Sequence, residues 1–254
     1  MLMSASKLAR FFGNERKALV AFSGGVDSSV LAKAAFDALG KGALAVTFDT
    51  PTLPRSELDA ARKTAKRIGI RHVVVKYSEL SDLEFSRNSH DRCFFCKRKM
   101  AEKLKEVAKN HTISLIVEGT NAEDLCGHRP GYRALKEAGI SSPLAVLGYS
   151  KKAVRRLAKG YGLDHSKPSG ACLASRIPTG SDVTLRRLKK IENAEDFLRS
   201  LGLTQVRVRL EGADLGVGRI EVENGEFGKV VANSTLIVKS LPFRKVVLDL
   251  AGYS

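Results

Sequence analysis

The amino-acid sequence predicts an α/β fold: a doubly wound parallel sheet with a small C-terminal α+β domain. Three observations carry this expectation. Short apolar runs alternate with charged helical stretches at the spacing of strand–helix–strand units. The first apolar run, Ala18 to Phe22, ends in the glycine turn Ser23-Gly24-Gly25-Val26-Asp27-Ser28, which opens a helix. Near residue 182 the order changes to a long charged helix followed by two closely spaced strands.

The elements follow in order. Ala18–Phe22 is a buried strand, and the helix after the turn stops at Gly40. Ala43–Phe48 is a second strand ending in Asp49-Thr50-Pro51, and a charged helix from Arg55 to Ile68 stops at Gly69. His72–Val75 and Ile113–Val117 are the third and fourth strands, with a basic helix from Cys96 to Lys109 between them. The alternation ends near Leu163, and Asp164–Ser181, with its prolines and glycines, reads as an ordered loop. A helix from Leu185 to Leu201, strands Val206–Leu210 and Val217–Val222, a short helix and a strand Val246–Leu250 complete the chain. The expected domains are therefore 1–181 and 182–254. The smaller is read as a substrate or oligomerisation domain, and a homo-oligomer is expected.

Composition narrows the function classes. The chain has 254 residues, 43% of them hydrophobic, and 43 Lys and Arg against 27 Asp and Glu give a formal charge of +16. No apolar run reaches the roughly 20 residues of a membrane span, and Met1–Arg16 lacks the apolar core of a signal peptide. A cytoplasmic protein without membrane partners is expected. The positive charge suits anionic ligands, and solvated helix faces such as Lys151–Arg156 account for much of it. Without tryptophan and with five tyrosines, a base-stacking platform is not evident.

Ligands of open parallel sheets bind outside the carboxyl ends of the strands. That rule gathers Ser23, Gly24, Gly25, Asp27 and Ser28, the Thr47–Asp49 strand end, and Gly119 around one crevice. Glycines let the backbone approach an anion, and the first N–H groups of the helix favour negative charge. The turn lacks the Gly-Lys-Ser/Thr ending of a motor-ATPase loop. Its SGGVDSS sequence instead resembles the pyrophosphate-binding loop of the PP-loop ATP pyrophosphatases, of adenine nucleotide α-hydrolase-like fold, which cleave ATP between its α and β phosphates. An ordinary capping turn is the competing reading.

Further blocks are Arg92-Cys93-Phe94-Phe95-Cys96-Lys97, Glu118-Gly119-Thr120-Asn121-Ala122-Glu123-Asp124, Arg129-Pro130-Gly131-Tyr132-Arg133, Ser142-Pro143-Leu144 and Cys172-Leu173-Ala174-Ser175-Arg176-Ile177-Pro178. With SGGVDSS they resemble the LarE family, ATP-dependent sulfur transferases of nickel-pincer nucleotide biosynthesis, over essentially the whole chain. The resemblance implies ATP with Mg2+, adenylation of a carboxylate on an acidic pyridinium mononucleotide, and replacement of AMP by sulfur from sulfide or another donor. Asp27 would position magnesium or pyrophosphate. Asp124, Arg129 and Arg133 would hold ATP phosphates or the substrate carboxylate, with solvated ion pairs as the competing reading. Ser175 and Arg176 lie close enough to Cys172 to share its ligand. Arg207 and Arg209 alternate with valines, share one strand face and suit a phosphate clamp, or form a merely exposed face.

Cys93, Cys96 and Cys172 leave two chemistries open. One form of the family uses a lone cysteine at the third position and gives up its sulfur, leaving dehydroalanine. Other sulfur-inserting PP-loop proteins hold a [4Fe-4S] cluster through three cysteines. A lone-cysteine enzyme has no need of the Cys93-x-x-Cys96 pair, so the cluster form is favoured, with Cys93, Cys96 and Cys172 as ligands. A zinc site using Cys126 as well is the bland alternative, and Cys126 alone reads as a small buried residue. Three other functions compete. A tRNA thiolation enzyme would explain the charge, but no RNA-binding module is visible, so nucleic acid ranks behind the acidic mononucleotide as partner. An ammonia-using amidating ligase of the NAD- or GMP-synthetase type shares the loop but has no use for the cysteines. A non-enzymatic nucleotide-binding module would leave them accidental.

Overall fold

The computed structural model describes residues 2–125, 129–168 and 170–253; Cys126, expected to be a small buried residue, lies outside them. In chain order the helices and strands are α1 (Leu2–Phe11), β1 (Ala18–Ala21), α2 (Val26–Leu39), β2 (Ala43–Asp49), α3 (Arg55–Ile68), β3 (Arg71–Lys76), α4 (Leu83–Ser86), α5 (Arg92–Asn110), β4 (Leu115–Val117), α6 (Pro130–Glu137), α7 (Pro143–Val146), α8 (Lys151–Gly160), α9 (Leu185–Ser200), β5 (Val206–Glu211), β6 (Val217–Val222), α10 (Phe227–Ala232), α11 (Ser234–Ser240) and β7 (Lys245–Leu248). The fourth strand is shorter than the sequence suggests, because only Leu115–Val117 pairs with β1.

The first four strands form one parallel sheet in the order β3-β2-β1-β4. Both faces are apolar, as a sheet covered by helices on each side requires. Ala18, Val20, Ala43 and Ala45 pack on one side with Val30, Leu31 and Ala34 of α2, Ala61 and Ala65 of α3, and Val154 and Leu157 of α8. Leu19, Leu44, Val46 and Phe48 face the other side, against Ala101 and Leu104 of α5 and Leu135 of α6. The small residues on the first face let α2 lie close to the sheet. The order reverses at β1: the chain leaves it toward β2 and returns beside it as β4. Strands β1 and β4 therefore flank the topological switch point, where such sheets bind ligands.

Packing divides the chain into two units, Met1–Glu79 with Asp91–Gly170, and Leu80–His90 with Ala171–Ser254. The division falls ahead of the sequence-based boundary at 182 and moves an excursion of the first half into the second unit. Asn88 explains the excursion. Its side chain is fully buried, and Nδ2 donates to the carbonyls of Pro178 (2.8 Å) and Ser181 (3.0 Å). Backbone bonds Gly180 to Asn88 (2.9 Å) and Val183 to Ser86 (2.7 Å) complete the tie.

The second unit holds a three-stranded sheet, β5-β6-β7, antiparallel between β5 and β6 and parallel between β6 and β7. Its core joins Ala194 and Leu198 of α9 to Val206, Val208, Ile220 and Val222. Alternation along β5 buries the valines and leaves Arg207 and Arg209 on the opposite face. Among the described residues no helix is long and apolar enough to cross a membrane.

Candidate functional site

The loop after β1 is built by backbone geometry. Phe22 is pinned to β2 by its N–H on Val46 O (2.8 Å), and the Thr47 hydroxyl donates to Phe22 O (2.7 Å). Gly24 has φ +73, in the left-handed region that favours glycine, and a Cβ there would sit 2.6 Å from Ala61 Cα. The turn thus allows α3 to press against it. Gly25 is the N-cap of α2, and no side chain caps that helix. Uncapped first-turn N–H groups and the helix dipole make this end an anion site. The two serines brace it: Ser23 N–H donates to Ser28 Oγ (3.3 Å), and Ser28 Oγ donates to Gly25 O (3.1 Å).

Across the switch point, the turn after β4 comes up against the start of α2. A Cβ on Gly119 would lie 2.9 Å from Ser28 N, so only glycine fits this approach. Glu118 is buried, and its carboxylate shapes the turn. It accepts from Thr120 N–H (3.0 Å), the Thr120 hydroxyl (2.7 Å) and the Ser142 hydroxyl. Asn121 is fully buried and accepts from the N–H groups of Glu123 (3.0 Å) and Asp124 (3.1 Å).

These turns bring Asp27 and Asp124 together. The Asp27 carboxyl is raised above its ordinary value, first by burial and then by the neighbouring Asp124, while Lys151, Asn121 and Arg155 pull the other way. Asp124 is paired with Lys151 at 3.2 Å and with Arg129 at 3.6 Å. Two adjacent carboxylates beside an anion-binding turn suit a magnesium ion, which takes one or two protein oxygens and completes its shell with phosphate and water.

Sequence reasoning missed one part of this region. Lys167 Nζ pairs with Glu57 (2.8 Å) and reaches Gly24 O (3.5 Å). It lines a cleft with Gly24, Val26, Ser29 and Lys63. Arg155 steadies the loop by donating to Lys167 O (3.2 Å), and Asp164 accepts from Ser166 and Lys167 N–H. The Asp164-x-Ser166 pattern is a sequence-level hint of the turn that positions Lys167.

The predicted residues divide by environment. Ser23, Gly24, Gly25, Asp27, Ser28, Gly119 and Asp124 gather at the switch point. Thr47 is 2% exposed, and its hydroxyl serves Phe22 and His72 Nε2 (2.8 Å), so it braces the loop from within. Asp49 pairs with Arg55. Arg129 and Arg133 are exposed. Arg133 stacks its guanidinium 4.5 Å from the Phe94 ring centre, which puts it beside the Cys93–Cys96 turn.

That turn opens α5. Cys93 is exposed, Cys96 half-buried, and neither is in a disulfide. Three residues apart on a helix, they lie on one face. Gly131 of α6 packs against the turn, where a Cβ would lie 3.4 Å from Cys93 O. Two thiols on one helical turn are a fitting donor pair for iron or zinc. Among the described residues no three metal-ligating side chains form one group.

In the second unit, Cys172 is exposed, outside any disulfide, at the start of a short 3₁₀ turn, Leu173–Arg176. Arg176 is 5% exposed and organises this turn from beneath. Its Nη1 donates to Ala171 O (2.9 Å), Cys172 O (3.2 Å) and Ser175 Oγ (3.0 Å), and its Nε donates to Glu195 (2.9 Å). Glu195, fully buried on α9, also accepts from Val208 N–H (3.1 Å) and Arg199 (2.9 Å). Sequence reasoning placed Arg176 on the ligand, whereas its guanidinium is spent on the backbone carrying Cys172. Arg209 donates to Ser175 O (3.0 Å) and to Glu221, and Arg207 stacks 4.2 Å from the Tyr253 ring centre.

Residues 17–122 match the model of a family described as queuosine biosynthesis protein QueC. An uncharacterised protein of Synechocystis sp. is 39% identical over 97% of this chain and 93% of its own length. The pyridinium-3,5-bisthiocarboxylic acid mononucleotide synthase of Lactiplantibacillus plantarum is 32% identical over 94% of this chain and 87% of its own. Similarity to one component of the glutamine-hydrolysing GMP synthase of Methanothermobacter thermautotrophicus is partial, 34% over 44% of this chain and 36% of that protein.

Proposed function

The chain belongs to the LarE family of PP-loop sulfur transferases, and on that premise we propose that it adenylates a carboxylate of a pyridinium mononucleotide and exchanges AMP for sulfur. The observation that carries this reading is the uncapped, glycine-built start of α2 at the switch point, with Asp27 and Asp124 beside it. That arrangement suits a nucleoside triphosphate with magnesium. A substrate carboxylate oxygen attacks the α-phosphorus, the bond to the β-phosphate breaks, and pyrophosphate leaves. The first turn of α2 offers N–H groups to the leaving pyrophosphate, with Lys167 nearby as a further positive charge. Sulfur then attacks the acyl carbon and AMP leaves, giving a thiocarboxylate.

The thiols of Cys93, Cys96 and Cys172 are proposed to hold a [4Fe-4S] cluster, whose open iron would supply sulfide. Arg176 fixes the backbone of Cys172, and Arg207 with Arg209 binds the substrate phosphate. The C-terminal unit is thus read as the substrate domain, in a cytoplasmic homo-oligomer. The partial similarity to a GMP synthase accords with a shared nucleotide-binding half, and the cysteines favour sulfur over ammonia chemistry.

The test is anaerobic purification followed by single Cys→Ala changes. Each of Cys93→Ala, Cys96→Ala and Cys172→Ala should remove the brown absorbance and end sulfur transfer, and Cys126→Ala should do neither. A chain that loses the mass of hydrogen sulfide at Cys172 during turnover, with Cys93 and Cys96 dispensable, would replace this reading by the sacrificial one.

A further inference from the structure

The polar face of the C-terminal sheet holds a group that sulfur transfer as proposed leaves unused. Glu221 of β6 stands directly opposite Arg207 of β5 and is 1% exposed. One carboxylate oxygen, Oε1, is shared by Arg209 Nε and Arg219 Nη2 (3.2 Å). The other, Oε2, is buried, and no hydrogen-bond donor among the described residues reaches it. Arg219 is itself drawn away by Glu211 (2.7 Å) and Asp249.

A buried carboxylate oxygen without a donor is costly, and native proteins rarely leave one. Among the described residues none supplies that donor, so a bound ligand is a fitting source for it. That ligand must also sit beside Arg207 and Arg209, which suit a phosphate. A phosphorylated ligand that carries hydroxyl groups next to the phosphate meets both conditions, as a nucleotide's ribose does. In dinucleotide-binding folds a carboxylate recognises ribose in this way, accepting from the 2′-hydroxyl and rejecting a phosphate at that position.

We propose that Glu221 Oε2 accepts a hydrogen bond from the ribose 2′-hydroxyl of the mononucleotide whose 5′-phosphate is held by Arg207 and Arg209. The proposal deepens the phosphate-clamp reading and rests on it. It makes Glu221 a selectivity residue, favouring ribonucleotides over deoxyribonucleotides and over free phosphate. Arg209 serves two purposes: it attracts the phosphate, and it orients the Glu221 carboxylate through Oε1.

Calorimetric titration with nicotinic acid mononucleotide, its 2′-deoxy analogue and inorganic phosphate tests this without turnover. The unaltered protein should bind the ribonucleotide roughly tenfold or more tighter than the deoxy analogue, the scale of a hydrogen bond to a charged group. In Glu221→Gln that preference should fall to about twofold or less, while phosphate binding stays the same or strengthens. Because Glu221 also holds Arg209, the comparison of the two nucleotides on the unaltered protein stands by itself if the variant folds poorly. Equal affinity for the two nucleotides would overturn the proposal and assign a water molecule to Oε2. Failure of every phosphorylated probe to bind, or binding indifferent to Arg207→Ala, would instead overturn the phosphate clamp.

Discussion

The loop after β1 and the turn that carries Cys172 both hold reactive groups in place, and they do so by different means. The first is made of backbone: a left-handed Gly24, Gly25 at the head of a helix without a side-chain cap, and the closely packed Gly119 shape the turn. The second is made of buried side chains: Arg176 donates to the carbonyls of Ala171 and Cys172, and is itself held by Glu195 of α9. A backbone-built site tolerates little change in residue size. A side-chain-built site tolerates size but depends on charge balance.

The strongest way to break this contrast is at the glycines. Gly25→Val should lower ATP turnover roughly a hundredfold or more while the protein stays folded, because a Cβ there meets only Ser23 Oγ at 3.3 Å. Gly24→Ala should lose stability as well, since its Cβ would run into the α3 backbone and its φ disfavours a side chain. Thermal unfolding and ATP turnover measured on both variants separate the two effects. Equal behaviour would mean that the loop works by packing alone.

The second expectation concerns charge. Arg176→Ala leaves the fully buried Glu195 without its main partner and should cost about 3–5 kcal/mol in denaturant unfolding, with part restored in Arg176→Lys. Loss of sulfur transfer with unchanged stability would instead place Arg176 on the ligand. A smaller effect is expected from Arg207→Ala. Mononucleotide affinity should fall roughly tenfold with ATP affinity unchanged, and the single variant spares the Arg209 contact to Ser175.

The smallest expectation is a pH effect at Asp27. Its carboxyl is raised in the folded protein by burial and by Asp124, so folding disfavours the charged form. Stability tied to this group is full below the ordinary carboxylate range, near 3.9, and is lost as pH rises through the raised value. Asp27→Asn should therefore be slightly more stable than the parent at neutral pH, the difference fading in acid, while ATP turnover is lost. A variant less stable at neutral pH would mean that the charge is paired more strongly than it is desolvated.

The same contrast explains what was legible in the sequence. Glycine turns and apolar runs are local signals, so the parallel sheet, the β1–α2 loop and the Gly119 turn were readable, as was the placement of Arg207 and Arg209 on one strand face. Pairings across the chain were not. Nothing near Asn88 announces that it seals residues 80–90 to the second unit, and nothing near Glu195 or Lys167 marks a partner far away in sequence. Thr47 looked like a ligand-facing strand end and turned inward, because the carbonyl of Phe22 needed a donor.

The central claim is that the glycine-built loop drives adenylation of a carboxylated mononucleotide for sulfur transfer. Its most direct test is to incubate the anaerobic protein with ATP, magnesium, sulfide and pyridinium-3,5-dicarboxylic acid mononucleotide, and to quantify all products. The account predicts AMP and pyrophosphate formed in equal amounts with a thiocarboxylate, and only when the mononucleotide is present. Formation of ADP and phosphate, or of AMP without any thiocarboxylate, would contradict it.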